Sequence, residues 1–144
     1  MDPSYFMKQA YREALNAFEA DEVPIGAVVV CENRIIARGF NQTEMLIDTT
    51  AHAEILALTA AFIHLGSKIL DECTLYVTIE PCVMCAGALK WARIGKLVYG
   101  ADEPKSGFSK FSPSVLHPST KIEKGLLKDE CAALMQDFFR KKRV

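Results

Sequence analysis

The chain has 144 residues, 50% of them hydrophobic, five cysteines and a formal net charge of −1. That is the length of one domain able to bury its own core, and the charge balance excludes a general attraction to nucleic acid or a membrane surface. No apolar run approaches the roughly 20 residues of a spanning helix, and Met1-Asp2-Pro3-Ser4-Tyr5-Phe6 lacks the basic start and apolar centre of a secretion signal. An odd number of cysteines is poor material for a disulfide scaffold, so a soluble protein of the reducing cytoplasm is expected.

Met7, Ala10, Tyr11, Ala14 and Phe18 recur at helical spacing and predict an amphipathic helix from Tyr5 to about Glu19, capped by Asp2 or Ser4 with Pro3 in its first turn. After the break at Asp21-Glu22-Val23-Pro24, the uncharged run Ile25 to Cys31 reads as a strand buried on both faces. Glu32-Asn33-Arg34 turns it into a hairpin partner from Ile35 to Phe40. A polar loop to about Thr50 then leads into a helix from Ala51 or His52 to Leu65, capped by Thr49 or Thr50 and stopped by Gly66. Apolar residues surround most of that helix, which predicts a place sandwiched between layers.

Thr74 to Ile79 alternates like a strand that Pro81 ends, Cys82 to about Trp91 reads as a helix, and Lys96 to Gly100 as the next strand. This order is a βαβ unit within an α/β fold. Residues 101–120 form a long loop rich in proline, serine and lysine, of the kind that carries function. Ile122 suits a short edge element. The last helix, about Leu126 to Lys141, presents Leu127, Cys131, Leu134, Met135 and Phe138 on one face and ends in Arg140-Lys141-Lys142-Arg143. On its own, such a basic run is the usual solvated helix end favoured by the helix dipole.

Two short stretches carry chemistry: Ala51-His52-Ala53-Glu54 and Glu80-Pro81-Cys82-Val83-Met84-Cys85. One histidine and a Cys-x-x-Cys pair are three good zinc ligands, each placed at the start of a helix, where amide groups and the dipole favour a thiolate. A closed structural site needs a fourth ligand. Cys73 lies a whole strand from Cys82, roughly 20 Å, and His64 lies about 18 Å along the helix from His52. Cys31 and Cys131 read as small core residues, which leaves His117, on a loop, as the open candidate for a fourth ligand. Without it, His52, Cys82 and Cys85 leave a position for water, and Glu54, not needed as a ligand, stands where a general acid and base would use it.

His-Ala-Glu followed by Pro-Cys-x-x-Cys is the pattern of the zinc nucleobase deaminases. More of the chain than this resembles one branch, the bacterial tRNA-specific adenosine deaminases of the cytidine/deoxycytidylate deaminase superfamily. The likeness runs from about Tyr5 to Arg143, through 22–28 (Glu-Val-Pro-Ile-Gly-Ala-Val), Gly39-Phe40-Asn41, 75–88 and 129–134, with Phe138-Phe139-Arg140. The resemblance implies a three-layer α/β/α cytidine-deaminase-like fold with a five-stranded mixed sheet and one zinc ion per subunit. It also implies a homodimer and hydrolytic conversion of adenosine to inosine at the wobble position of a tRNA anticodon stem-loop, with neither DNA nor membrane as a partner.

By position, the resemblance makes Glu54 the proton shuttle and assigns substrate contacts to Asn41, Ile25, Val28, the backbone amide of Ala53, and Glu103, which stands where aspartate is common near a ribose hydroxyl. Lys105, Arg140, Lys141, Lys142 and Arg143 become candidate phosphate contacts. The family's usual small-residue ending of the loop after Gly100-Ala101 is replaced here by Phe108 to Phe111. Two rival readings share the zinc site: a deaminase of free bases or nucleosides such as guanine or cytosine, and a non-catalytic, zinc-stabilised RNA-binding subunit, which would have no use for Glu54.

Overall fold

Asp2 caps the first helix, α1 (Pro3–Glu19), its Oδ1 accepting from Tyr5 N at 3.0 Å, and Pro3 occupies the first turn, where no amide hydrogen is needed. The structure, a computed structural model, describes residues 1–142. The chain continues through β1 (Gly26–Cys31), β2 (Arg34–Phe40), α2 (Ala53–Leu65), β3 (Cys73–Ile79), α3 (Val83–Ala92), β4 (Lys96–Ala101), β5 (Lys121–Lys124) and α4 (Lys128–Lys142). Glu32 and Asn33, both at positive φ, make the two-residue turn between β1 and β2.

The five strands form one mixed sheet in the order β2-β1-β3-β4-β5. β1 runs antiparallel to both β2 and β3, whereas β4 is parallel to β3 and β5 to β4. Alternation along the strands divides the core in two. Ala27, Val29, Leu75, Val77, Leu97 and Tyr99 face the layer of α2 and α3. Val28, Val30, Tyr76 and Val98 face α1, joined there by Phe6, Met7 and Ala10. A third cluster joins Ile79 and Ala101, at the ends of β3 and β4, to Cys131 of α4. The result is the expected α/β/α arrangement.

Two local expectations change. Neither Thr49 nor Thr50 caps α2: the N-cap is His52 itself, without a side-chain cap bond, because Thr50 N and Oγ1 are both engaged by Asp48. α2 is not sandwiched within the chain: Ala53, Ala57, Leu58 and Ala61 are buried on the sheet, while Ile63 is 78% exposed. On α3, Trp91 is 81% exposed, so the outer side of this helical layer is apolar and open. The long loop holds two short 3-10 turns, Phe108–Lys110 and Pro113–Val115, and Phe108 is buried edge-on against Tyr99 at 6.3 Å. The aromatic residue that departs from the family pattern is thus a core anchor for the loop.

Candidate active site

Two helix starts and one strand end converge on the site. His52 is the N-cap of α2 and Cys82 the N-cap of α3, and both hold extended backbone angles before the first turn begins. Cys85 lies one turn further along α3 and is buried. Pro81 ends β3 and starts the turn that presents Cys82. His52 Nδ1 stands 3.6 Å from Cys82 Sγ and 3.5 Å from Cys85 Sγ. Two ligands on a tetrahedral zinc, one nitrogen at about 2.1 Å and one sulfur at about 2.3 Å, lie about 3.6 Å apart. The donor set and its spacing therefore fit zinc.

Among the described residues this is the one cluster of three or more such side chains, with all its ligand atoms within 4.8 Å of one another. His117 does not join it. Its Nδ1 accepts from Ser119 N at 3.1 Å and pairs with Ser119 Oγ at 2.7 Å, which ties the ring to its own turn.

The electrostatics suit a metal site that also moves protons. The hydrogen bond from Cys85, aided by His52, brings the Cys82 thiol down to about 4 against the cost of burial. That same bond, with burial, pushes the Cys85 thiol up. The bond with Cys82 raises His52. Glu54, in the first turn of α2, is buried, and burial lifts its carboxyl from the ordinary range to about 7, reinforced by the charge on Cys82. A carboxyl poised near neutrality beside a ligand cluster is the state a proton shuttle needs.

The remaining predicted residues divide by place. Ala53 is the first residue of α2, where the backbone amide has no acceptor within the helix. Asn41 follows β2, is buried, and its backbone N–H donates to Ile25 O at 3.1 Å, which joins two of the expected substrate residues. Val28 is a correction. As an alternate residue of β1 it points to the α1 face, fully buried among Phe6, Met7 and Tyr76, on the side of the sheet opposite α2. Glu103 Oε1 accepts from Lys105 N at 2.8 Å and Ser106 N at 3.4 Å, closing its own turn.

Lys105 and Arg140 line one cleft of about 680 Å³ together with Gln136 and Phe139. Arg140 pairs with Asp137 at 3.2 Å, Lys142 pairs with Asp21 at 2.6 Å, and the Lys141 ammonium lies 5.0 Å above the Phe18 ring. Arg143, also expected as a phosphate contact, lies outside the described residues.

Two buried carboxylates escaped the sequence reading. Glu22 accepts from Glu44 N at 3.1 Å and Met45 N at 2.7 Å, which pins the loop before α2. Glu80 accepts from Glu103 N and Ser109 N, each at 3.0 Å, and from Ser109 Oγ at 2.6 Å. The available signal was a charged residue at the end of an apolar strand, with no surface to explain it.

Four similarities to known proteins bear on this arrangement. The family model described as MafB19-like deaminase matches residues 1–143. A tRNA-specific adenosine deaminase of Agrobacterium fabrum is 47% identical over 146 aligned residues, covering 98% of this chain and 96% of the relative. A structure from a study of A-to-I editing by tRNA:A34 deaminases at the wobble position of transfer RNA superposes with a TM-score of 0.85 at 45% identity, covering 90% of this chain and 98% of that one. A guanine deaminase from Nitrosomonas europaea also reaches a TM-score of 0.85, at 27% identity, over 95% of this chain and 84% of its own. With the higher identities extending over nearly the whole chain, this protein belongs to the tRNA-specific adenosine deaminase family, within the MafB19-like deaminases.

Proposed function

We propose that this protein hydrolyses the 6-amino group of adenosine at the wobble position of a tRNA anticodon, leaving inosine and releasing ammonia. The observation that carries the reading is Glu54, a buried carboxyl in the first turn of α2 beside the His52, Cys82 and Cys85 cluster. These three residues would hold one zinc ion per subunit. When bound, the ion supplies Lewis acidity that brings the pKa of a water molecule toward neutrality.

Glu54 takes one proton from the attacking water and delivers it to N1 of the purine. It then moves the second proton to the departing amine, so that the water oxygen stays on C6 and ammonia leaves. Asn41 offers an amide able to donate to and accept from the base edge. Ile25 supplies an apolar wall and the Ala53 amide a donor at the base. Glu103 keeps one carboxylate oxygen in its turn, and we assign the other to a ribose hydroxyl, the group that separates RNA from DNA. Lys105, Arg140, Lys141 and Lys142 serve as phosphate contacts. A second copy of the chain covers the open apolar side of α2 and α3, where Ile63 and Trp91 stand exposed.

The test is deamination of an anticodon stem-loop with adenosine at the wobble position, run beside free adenosine, cytidine and guanine. Inosine formed in the RNA alone supports the reading. Ammonia from a free base alone replaces it with a free-base deaminase, the chemistry of the Nitrosomonas europaea neighbour.

A further inference from the structure

The loop of residues 102–111 is tied at several points to the turn that carries a metal ligand. Glu80 stands two residues before Cys82, is 4% exposed, and receives three hydrogen bonds, all from this loop: Glu103 N at 3.0 Å, Ser109 N at 3.0 Å and Ser109 Oγ at 2.6 Å. Two neighbouring contacts continue the same seam. Phe108 N donates to Pro81 O at 2.9 Å, and Cys82 pairs with Gly107 as a short antiparallel bridge. Gly107 admits no side chain there, because a Cβ would fall on the Glu80 carboxylate itself.

The partners of this buried charge are two backbone N–H groups and one hydroxyl, donors taken from both ends of the segment 103–109. A carboxylate used in this way fixes a loop more tightly than a single contact does, since each donor to a charged acceptor is stronger than a neutral pair. The hydrophobic anchor is separate, because Phe108 is held by Tyr99 in the core. Loss of the polar clasp therefore frees the register of residues 103–107 without unseating the loop as a whole.

Building on the tRNA reading above, we propose that Glu80 is a positioning residue that acts through Ser109, setting the place of the RNA-facing loop, with Glu103 and Lys105, relative to the ligand-bearing turn at Cys82. The distance between base pocket and phosphate contacts is then set inside the protein by one carboxylate. Loosening the clasp weakens productive RNA binding and leaves the chemical step, which belongs to Glu54, unchanged.

The experiment compares the wild-type chain with Ser109→Ala, Ser109→Thr, Glu80→Gln and the Glu80→Gln/Ser109→Ala pair, each checked for one zinc per chain. KM and kcat are measured on the stem-loop, and hydrogen exchange at the amides of Glu103 and Ser109. Ser109→Ala should raise KM about tenfold, the order of one hydrogen bond to a charged group, with kcat within about twofold, and Ser109→Thr, which keeps the hydroxyl, should restore it. The double variant should be no worse than Glu80→Gln, as expected of residues acting through one contact.

An unchanged KM in Ser109→Ala, a fall in kcat alone, or additive effects in the double variant would overturn the proposal. If Glu80→Gln gives no folded protein, Ser109→Ala and Ser109→Thr decide by themselves. If the wild-type chain leaves the stem-loop untouched, the functional reading falls, and the amides then decide the clasp on their own. Exchange at least about tenfold faster in Ser109→Ala with zinc retained supports it, and unchanged exchange overturns it.

Discussion

Gly39 of β2 lies against Ala53 in the first turn of α2, so closely that a Cβ on the glycine would stand 2.5 Å from Ala53 O and 2.8 Å from Ala57 N. Both atoms are backbone and cannot swing away. A Gly39→Ala change therefore has to push α2 off the sheet, and the residue at the tip of α2 is His52. Overpacking of this kind costs about 1–3 kcal/mol. The expected result is a lower urea midpoint together with weaker zinc affinity, and a variant with wild-type values for both would show that α2 is not held by this approach.

Glu54→Gln separates holding a metal from using it. The side chain is buried and nearly isosteric with its replacement, and the three ligand atoms lie on His52, Cys82 and Cys85. Zinc content should stay at one per chain while single-turnover deamination falls by at least about 10²-fold, the usual worth of a positioned acid and base. Retained activity would remove Glu54 from the mechanism.

His52, Cys82 and Cys85 were legible because ligand chemistry restricts residue type and spacing, β1 because a strand buried on both faces reads as one uncharged run, and β3 because Thr74 to Ile79 alternates and branches up to the stop at Pro81. Val28 was assigned by position from the resemblance, and the alternation of β1 turns its side chain to the α1 face instead. The cap of α2 was missed because Thr50 prefers a local bond with Asp48. The clasp at Glu80 joins residues 23 and 29 positions apart, and no local pattern encodes a contact between a strand end and backbone amides of a distant loop.

Cys85→Ser tests the ligand set itself. Cys85 is fully buried, one turn along α3 from Cys82, with its Sγ 3.5 Å from His52 Nδ1. Serine keeps the size but gives up the soft sulfur donor, so zinc content should drop well below one per chain and activity should fall with it. Chelation of the wild-type protein should produce the same loss, reversed by zinc. A Cys85→Ser protein that keeps full zinc would exclude Cys85 as a ligand.

The basic end of α4 predicts a salt effect. Arg140 and Lys142 each hold an acidic partner on the surface, Asp137 and Asp21, pairs that are weak in water and readily exchanged for phosphate. Each phosphate contact to a single-stranded loop contributes about 0.7 to the slope of log affinity against log salt. Replacing Arg140, Lys141 and Lys142 with alanine should flatten that slope by up to about 2 for the stem-loop while kcat at saturating RNA is unchanged. An unaltered slope would take α4 out of the RNA interface.

Trp91 supplies the last prediction. It is 81% exposed on α3, in the same helical layer as Ile63, which is 78% exposed on α2. Large apolar residues left open on two helices of one layer are expensive in water and typical of a surface that another protein covers. In the homodimer proposed here, Trp91→Glu places a charge at the centre of that cover, where it would have to be buried without a partner. Light scattering should then report the mass of one chain in place of two. The fold should survive, because Trp91 lies outside the core on which α3 rests, where Ala86, Leu89 and Ala92 are buried. A folded Trp91→Glu protein that still measures as two chains would move the dimer contact away from this face.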